Sequence, residues 1–474
     1  MKKMFIVLMV IFLPKIANAQ FVEDALRYSK PNGIITTRAA SMGISYNGLV
    51  DDYGALFYNP AGLTLIKQSE LSIGLGFTRN SAETNFMDVN EIFKSNNEFI
   101  TNAGLVSGFM MRDKKVSVGI GYFRESDFYN TMKFGALNPN SSIIASESKF
   151  GPKIDNQNWA YELFLANKSG NTYSTPYKDS LVQNSLINER GGLHTLAGGI
   201  AFDVNPNVSL GASLIGKWGS YTYKRDYAEL DILGVYKDVS VDGYNFNNLT
   251  LKEDLSQKVS GISGSIGLVA KYENFFRFGA NIKFPTWYQF EETFTKRLDA
   301  NYTNQSSRYF EYNGENSYNL TTPFVYSAGI SLHNSGFTLS SGVEYTDVSQ
   351  LTFSDANTNL LDLNNVIIQE LIGQTTWGFG LEYDPGFLPF AGRISYTKSS
   401  SPYSFDIPKA YKSVFAIGAS AYLSEKLRID GVFRWTEYAE LRTNYTDANN
   451  IPEYSRFILD NAPLTLSFGI SYRY

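Results

Sequence analysis

The last eleven residues, 464–474, alternate without interruption. Leu464, Leu466, Phe468, Ile470, Tyr472 and Tyr474 share one face, and Thr465, Ser467, Gly469, Ser471 and Arg473 the other. A period of two marks a β-strand whose faces meet different surroundings. Large apolar side chains on one face and small or polar ones on the other fit a strand between lipid and a polar lumen. Segments of the same kind recur near 70–80, 101–111, 115–124, 194–203, 208–221, 260–272 and 276–290. They continue near 322–333, 337–348, 375–383, 390–398, 413–423 and 427–438, with the last strand over 462–474. The pattern predicts fourteen strands, each near the ~10 residues with which a tilted strand crosses a bilayer.

The connections alternate in length. Short ones, such as Asn205-Pro206-Asn207 and Asn334-Ser335-Gly336, carry turn chemistry. Long ones cover 81–100, 125–193, 222–259, 291–321, 349–374, 399–412 and 439–461. Outer-membrane barrels place short turns in the periplasm and long loops outside. The expected fold is therefore all-β, a 14-stranded antiparallel transmembrane β-barrel with both chain ends on the periplasmic side.

Alternation also sorts the faces. Arg277, Asn281, Lys283, Lys217, Glu344, Glu382, Arg393, Arg428, Asp430 and Arg434 are expected in the lumen, because a cation facing mid-bilayer lipid costs about 2–4 kcal/mol. Most of these charges should pair with one another. Lys217, Lys283, Arg393 and Arg434 lie toward the middle or outer half of their strands, where a cation could hold a ligand's carboxylate head.

The N-terminus changes the picture from fold to compartment. Lys2 and Lys3 precede an apolar run from Met4 to Leu13, and Ala17-Asn18-Ala19 offers small residues for cleavage. Residues 1–19 read as a secretory signal peptide, too short to span a bilayer as a helix. Its removal takes the formal net charge from -5 to -8. The chain has no Cys, so no disulfide braces it. Its 39 Gly, 34 Phe, 32 Tyr and 5 Trp suit curved strands and interfacial aromatic girdles. An acidic chain without a basic stripe gives no reason to expect nucleic acid.

Residues 20–68 do not alternate and are too apolar for a disordered tail, with Met42, Leu49, Leu56, Phe57, Leu63 and Leu65 among Gly, Ala, Asn and Asp. Arg38-Ala39-Ala40-Ser41-Met42-Gly43, Asp51-Asp52-Tyr53-Gly54-Ala55-Leu56 and Tyr58-Asn59-Pro60-Ala61-Gly62-Leu63 together resemble the N-terminal signature of FadL-type outer-membrane channels. That family includes aromatic-hydrocarbon transporters. Ile44-Ser45 departs from it, standing where many members carry a further Gly. The resemblance implies a lumen hatch over 20–68 containing Asn59, Pro60 and Ala61, with the barrel over 69–474. It also implies a third strand that bends inward to open a lateral portal, for which Gly119 and Gly121 are the candidates. Independently, a fourteen-stranded barrel is wide enough to need something filling it.

The longest loop repeats apolar residues at helical spacing, Trp159 with Leu163 and Tyr161 with Leu165. Trp159, Tyr161, Leu163 and Phe164 are candidates for an outer landing site, or for packing that caps the barrel. His194 and His333 stand at the ends of different strands, and no metal-ligand spacing, nucleophile elbow or phosphate loop occurs. No cofactor, metal or enzymatic activity is expected. The expected function is passive uptake of hydrophobic compounds such as long-chain fatty acids by a monomer in the outer membrane of a Gram-negative bacterium, with outer-membrane lipid and the ligand as partners. A general porin and a barrel-anchored surface adhesin are the alternatives. Arg473 is expected at the periplasmic rim, against the hatch.

Overall fold

The computed structural model describes residues 19–150, 153–154, 157–407, 409–449 and 451–474. The expected signal peptide lies outside them, apart from Ala19. Fourteen strands form the wall. They are β1 (Glu70–Phe86), β2 (Val89–Met111), β3 (Lys114–Asp127, resuming as Asn130–Asn138), β4 (Leu181–Asn205), β5 (Val208–Leu230), β6 (Tyr244–Tyr272) and β7 (Phe276–Lys283, resuming as Trp287–Tyr302). The rest are β8 (Arg308–Thr321, resuming as Val325–Asn334), β9 (Phe337–Asp347), β10 (Gly373–Tyr383), β11 (Phe390–Ser399), β12 (Lys412–Tyr422), β13 (Leu427–Thr443) and β14 (Arg456–Asn461, resuming as Leu464–Arg473). Each pairs antiparallel with its neighbours in the chain, and β1 closes on β14 from Glu70↔Arg473 to Arg79↔Leu464. The faces are inverted relative to a soluble protein. Leu464, Leu466, Phe468 and Ile470 are exposed, while Thr465, Ser467 and Ser471 are buried. In water such a band would drive aggregation; in lipid it is the solvent-matched face.

All fourteen expected strands are present, but many run further than the alternation. β5 has 23 residues and β6 has 29, so much of 81–100, 222–259 and 291–321 is strand rather than loop. Beyond the bilayer both faces can be polar. The apolar-out pattern then stops while the backbone ladder continues. The 276–290 and 322–333 segments are each broken by a proline, Pro285 and Pro323, which has no N–H for the ladder. The breaks lie side by side: Thr322 N–H donates to Thr286 O at 3.0 Å and Thr286 N–H to Thr322 Oγ1 at 2.8 Å.

The N-terminal segment holds α1 (Ala19–Ser29), α2 (Thr37–Met42), α3 (Ala55–Tyr58) and 3-10 turns at Gly43–Gly48 and Pro60–Leu65. Thr36 caps α2 by accepting from Ala39 N–H, and Asn59 caps the second turn by accepting from Ala61 N–H. Met42, Tyr46, Leu49, Leu56, Phe57 and Leu63 cluster with inward Val106, Phe123, Ile215 and Val269 of the wall. The wall makes room for this segment by omitting side chains. Inward glycines stand directly opposite one another on neighbouring strands, among them Gly74↔Gly469, Gly119↔Gly199, Gly211↔Gly267, Gly279↔Gly329 and Gly329↔Gly342. The segment lies on this glycine belt. A methyl group at Gly418 would overlap Ser41, at Gly342 Ile44, at Gly329 Gly48, at Gly267 Asn59 and at Gly211 Ala61.

Three helices form in the outer loops: α4 (Ile143–Phe150), α5 (Trp159–Glu162) and α6 (Thr358–Glu370). The buried face of α6, Leu360, Leu363, Val366 and Ile367, packs in one cluster with α1 residues Val22, Ala25, Leu26 and Tyr28. The upper lumen is therefore filled by α1 from inside and roofed by α6.

Candidate functional site

Asn59, Pro60 and Ala61 sit at the floor of the lumen. The Asn59 amide donates to Leu268 O at 3.0 Å on β6 and to Ala280 O at 3.2 Å on β7. Its oxygen accepts from Ala61 N–H at 3.2 Å. One side chain thus joins the turn to two wall strands. A chain of ion pairs holds the other side of the segment. Arg38 bridges Asp51 at 3.0 Å and Glu382 of β10, and Glu382 also takes Arg393. From there Arg393–Asp430 (3.5 Å), Arg428–Asp430 (2.8 Å), Arg428–Glu70 (3.4 Å) and Arg473–Glu70 (3.0 Å) lead round the wall to the last strand. Arg473 therefore meets β1, not the N-terminal segment as expected, because Glu70 is its direct neighbour in register. Arg38 and Asp51 lie within the quoted signature, yet nothing in it showed that they pair.

The four candidate head-group cations separate. Lys217 is buried against Glu125, Nζ to Oε1 at 2.7 Å, and Arg393 lies between Glu382 and Asp430. Both are already neutralised, which removes them as free ligand cations. Lys283 lies over the Phe57 ring at 3.8 Å. Arg434 donates to the carbonyls of Gly33 at 3.1 Å and Asn32 at 2.6 Å. Neither has an ion-pair partner within 4.0 Å among the described residues.

The wall is discontinuous at β3. The β2–β3 ladder runs from Met111↔Lys114 to Asn102↔Phe123 and stops. On its other side β3 stays paired with β4 through a bulge between Arg124 and Ser126, then resumes from Asn130↔Glu189 to Asn138↔Leu181. This resumed part tucks against inward residues of β1 and β14, with Phe134 4.8 Å from Phe86 and 4.6 Å from Phe457. Residues 89–101 of β2 keep only β1 as a ladder partner among the described residues. The wall overlaps itself like a scroll, with a seam between β2 and β3.

Gly119 and Gly121 are not at this seam. Both are paired on each side, with Val106 and Gly199, and with Gly104 and Ala197. Two continuous ladders keep a glycine straight; these two give space to Leu56. The departure comes at Glu125, which is drawn inward by Lys217 and by the Thr195 hydroxyl at 2.5 Å. The seam itself is stoppered by Asn32 and Gly33. Gly33 N–H donates to Glu125 O at 2.9 Å, Asp127 N–H donates to Asn32 Oδ1 at 2.8 Å, and Asn32 Nδ2 donates to Asp127 O at 3.1 Å. A side chain at Gly33 would overlap the carbonyls of Arg124 and Glu125. On the β2 side, the Arg124 guanidinium lies over Phe99 at 4.9 Å. Pro31-Asn32-Gly33 is turn chemistry, but its docking on a bulge ninety residues away left no mark on the local pattern.

Above the stopper, α1 fills an apolar chamber lined by Phe128, Tyr221, Tyr288, Phe290, Tyr318 and Leu320. Its ion pairs with the wall are long, Glu23–Arg442 at 3.5 Å and Arg27–Glu189 at 3.9 Å, and it is held besides by Arg27 over the Tyr221 ring at 3.7 Å and a Tyr28–Gln257 hydrogen bond at 3.1 Å. Burial pushes the Glu23 carboxyl up to about 7, against the pull of Arg442.

The outer candidates take their packing role. Trp159 and Leu163 are fully buried with Tyr177, Leu249 and Leu298, and Trp159 Nε1–H donates to Glu147 at 3.1 Å. Tyr161 is half-buried, and half-buried Phe164 stacks on Tyr244 at 4.3 Å. These residues cap the barrel and do not offer an exposed landing surface. Apolar side chains in an aqueous loop are covered first by other loops. The helical spacing there yields a single turn, α5. His194 lies beside outward Trp218 and accepts or donates a 2.8 Å bond with Tyr122.

Residues 34–474 match the family model described as outer membrane protein transport protein (OMPP1/FadL/TodX). No curated protein matches the sequence. The chain is similar in fold to a solved Pseudomonas aeruginosa FadL homologue, at 14% identity and TM-score 0.58, covering 94% of this chain and 100% of that one. It is similar to the P. putida toluene transporter TodX at 13% and 0.59, covering 94% and 99%. The Ralstonia pickettii toluene transporter TbuX gives 14% and 0.52, covering 94% and 99%. The chain belongs to the OMPP1/FadL/TodX family of outer-membrane transport proteins, and its barrel resides in the outer membrane of a Gram-negative cell.

Proposed function

We propose that the protein takes up hydrophobic compounds, long-chain fatty acids among them, by passive passage as a monomer. Residues 20–68 act as the hatch of a barrel formed by 69–474. The ligand occupies the chamber now filled by α1 and leaves sideways into the membrane through the β2–β3 seam. The observation that carries this reading is a contrast in anchorage. The floor over 37–65 is seated on glycines and tied by buried ion pairs, whereas the seam is closed by exchangeable polar contacts: the Asn32–Gly33 turn, the Asn97 amide on the Asp127 carboxylate (2.8 and 2.9 Å) and Arg124 over Phe99. The moving part is therefore the stretch before Ile34 rather than the whole hatch. Such a filled lumen disfavours a general porin. Lys283 and Arg434 remain as cations for an acidic head.

The chain has no Cys, so a single engineered pair can lock the seam. With Phe99→Cys and Arg124→Cys, whose native side chains meet across the seam, cross-linking by a reducible bismaleimide should lower uptake of a labelled fatty acid into proteoliposomes at least tenfold, and reductant should restore it. Undiminished uptake through a fully cross-linked seam refutes lateral exit.

A further inference from the structure

Tyr28 occupies the chamber as a small guest molecule would. Phe128 and Phe290 meet its ring edge-on at 5.4 and 4.8 Å, and Tyr288 lies tilted at 6.0 Å. Such contacts are what a buried aromatic ring prefers. The Tyr28 hydroxyl donates to Gln257 Oε1 at 3.1 Å. Gln257 is itself fully buried, and its amide nitrogen donates to Glu292 Oε2 at 2.8 Å and Tyr318 OH at 3.2 Å on the wall, with a longer 3.4 Å bond to Asp24 Oδ2 of α1. The two shorter bonds, which stay when α1 leaves, hold Gln257 with Oε1 toward the cage, where the Tyr28 hydroxyl is its sole hydrogen-bond partner among the described residues. Tyr28 belongs to no wall strand. It rides on α1, whose ion pairs with the wall are stretched, three residues before the turn that stops the seam.

We propose that Tyr28 is a tethered surrogate ligand, and that its cage binds a free molecule of the same kind: one aromatic ring carrying a hydroxyl donor, a phenol or a cresol. A guest without the donor would leave Gln257 Oε1 buried and unpaired, so p-cresol should bind about tenfold or more tighter than toluene. The cage lies beside the exit, since Phe128 directly follows seam residue Asp127. The binding claim needs only the cage; its place on a transport path rests on the uptake reading above.

The test uses the full-length purified protein. Tyr28→Ala removes the surrogate and leaves a ring-sized cavity, and such cavities take up aromatic guests. Calorimetry should show saturable p-cresol binding to this variant, toluene about tenfold or more weaker, and weaker p-cresol binding to Tyr28→Phe, whose ring must first be displaced from the cage. Adding Gln257→Leu should abolish the preference for cresol. In the native protein, p-cresol must displace α1, so trypsin cleavage after Arg27 should increase with cresol and not with toluene at equal concentration. A folded Tyr28→Ala that binds neither guest, or binds both equally, overturns the proposal. If that variant does not fold, cleavage of the native protein unchanged by cresol overturns it instead. Failure of the uptake reading is a separate result: native protein that passes no apolar solute into liposomes, whatever the cavity binds.

Discussion

A single methyl group at Gly267 tests whether close seating on the wall holds the N-terminal segment in the lumen. Gly267→Ala would set its Cβ on the Asn59 carboxamide oxygen. The wall backbone is fixed by ladders on both sides, with Gly211 and Asn281, so Asn59 must give way. It would lose the bonds to Leu268 O and Ala280 O, together with its cap on Ala61. Two hydrogen bonds and a cap, at about 1 kcal/mol each, come to roughly 3 kcal/mol. At ~1.4 kcal/mol per tenfold, the seating equilibrium shifts by roughly a hundredfold. The wall itself should not weaken, because Ala is a better strand residue than Gly by about 0.5–1 kcal/mol. The expected result is therefore split. Open-channel events in planar bilayers rise about a hundredfold, while the heating step that converts folded barrel to unfolded on gels stays put or moves up. Asn59→Ala should open the channel to a similar degree, and the double variant should be no worse than either single one, since both remove the same contact. Channels as quiet as the native protein, or fully additive effects in the double variant, would refute the reasoning.

Two further outcomes follow from the charges. Lys217→Met leaves Glu125 buried at the bulge with only the Thr195 hydroxyl, which should destabilise the barrel by about 3–5 kcal/mol in thermal melts; Glu125→Leu in the same chain should recover most of it. The raised carboxyl of Glu23 makes α1 docking pH-dependent. A carboxyl that titrates higher when docked favours the docked helix while protonated, so docking is strongest below about 4.5, weakens as pH climbs toward 7 and is weakest above it. Trypsin cleavage after Arg27, measured against a denatured control at each pH, should rise between pH 5 and 8 and stay flatter in Glu23→Gln.

What the sequence disclosed depended on where lipid enforces a rule. At 464–474 the bilayer demands apolar-out, and strand, face and closure partner were all legible. At 222–259 the same ladder continues in water, where nothing demands alternation, and it read as loop. The inward placement of Lys217 and Arg393 followed from the cost of a charge in lipid. Their partners did not, because Glu125 is 92 positions from Lys217 and lies inward only through a bulge. The Asn59-Pro60-Ala61 floor was marked by its motif and by Asx chemistry. The seam was sought at glycines, which permit a bend, whereas an ion pair and a competing turn produce it at Glu125. Tyr28 gave no signal, since one aromatic in an apolar stretch reads as ordinary core.

The glycine belt bears on how this protein is made. At that level most wall strands turn glycine inward, β11 and β13 excepted, and glycine is a poor strand former. The N-terminal segment leaves the ribosome before any strand does, and every belt strand must later find its place against it. The segment thus acts as a mandrel on which the cylinder is wound. A barrel inserted without it would be softest along that belt, so deletion of residues 20–68 should compromise assembly as well as closure.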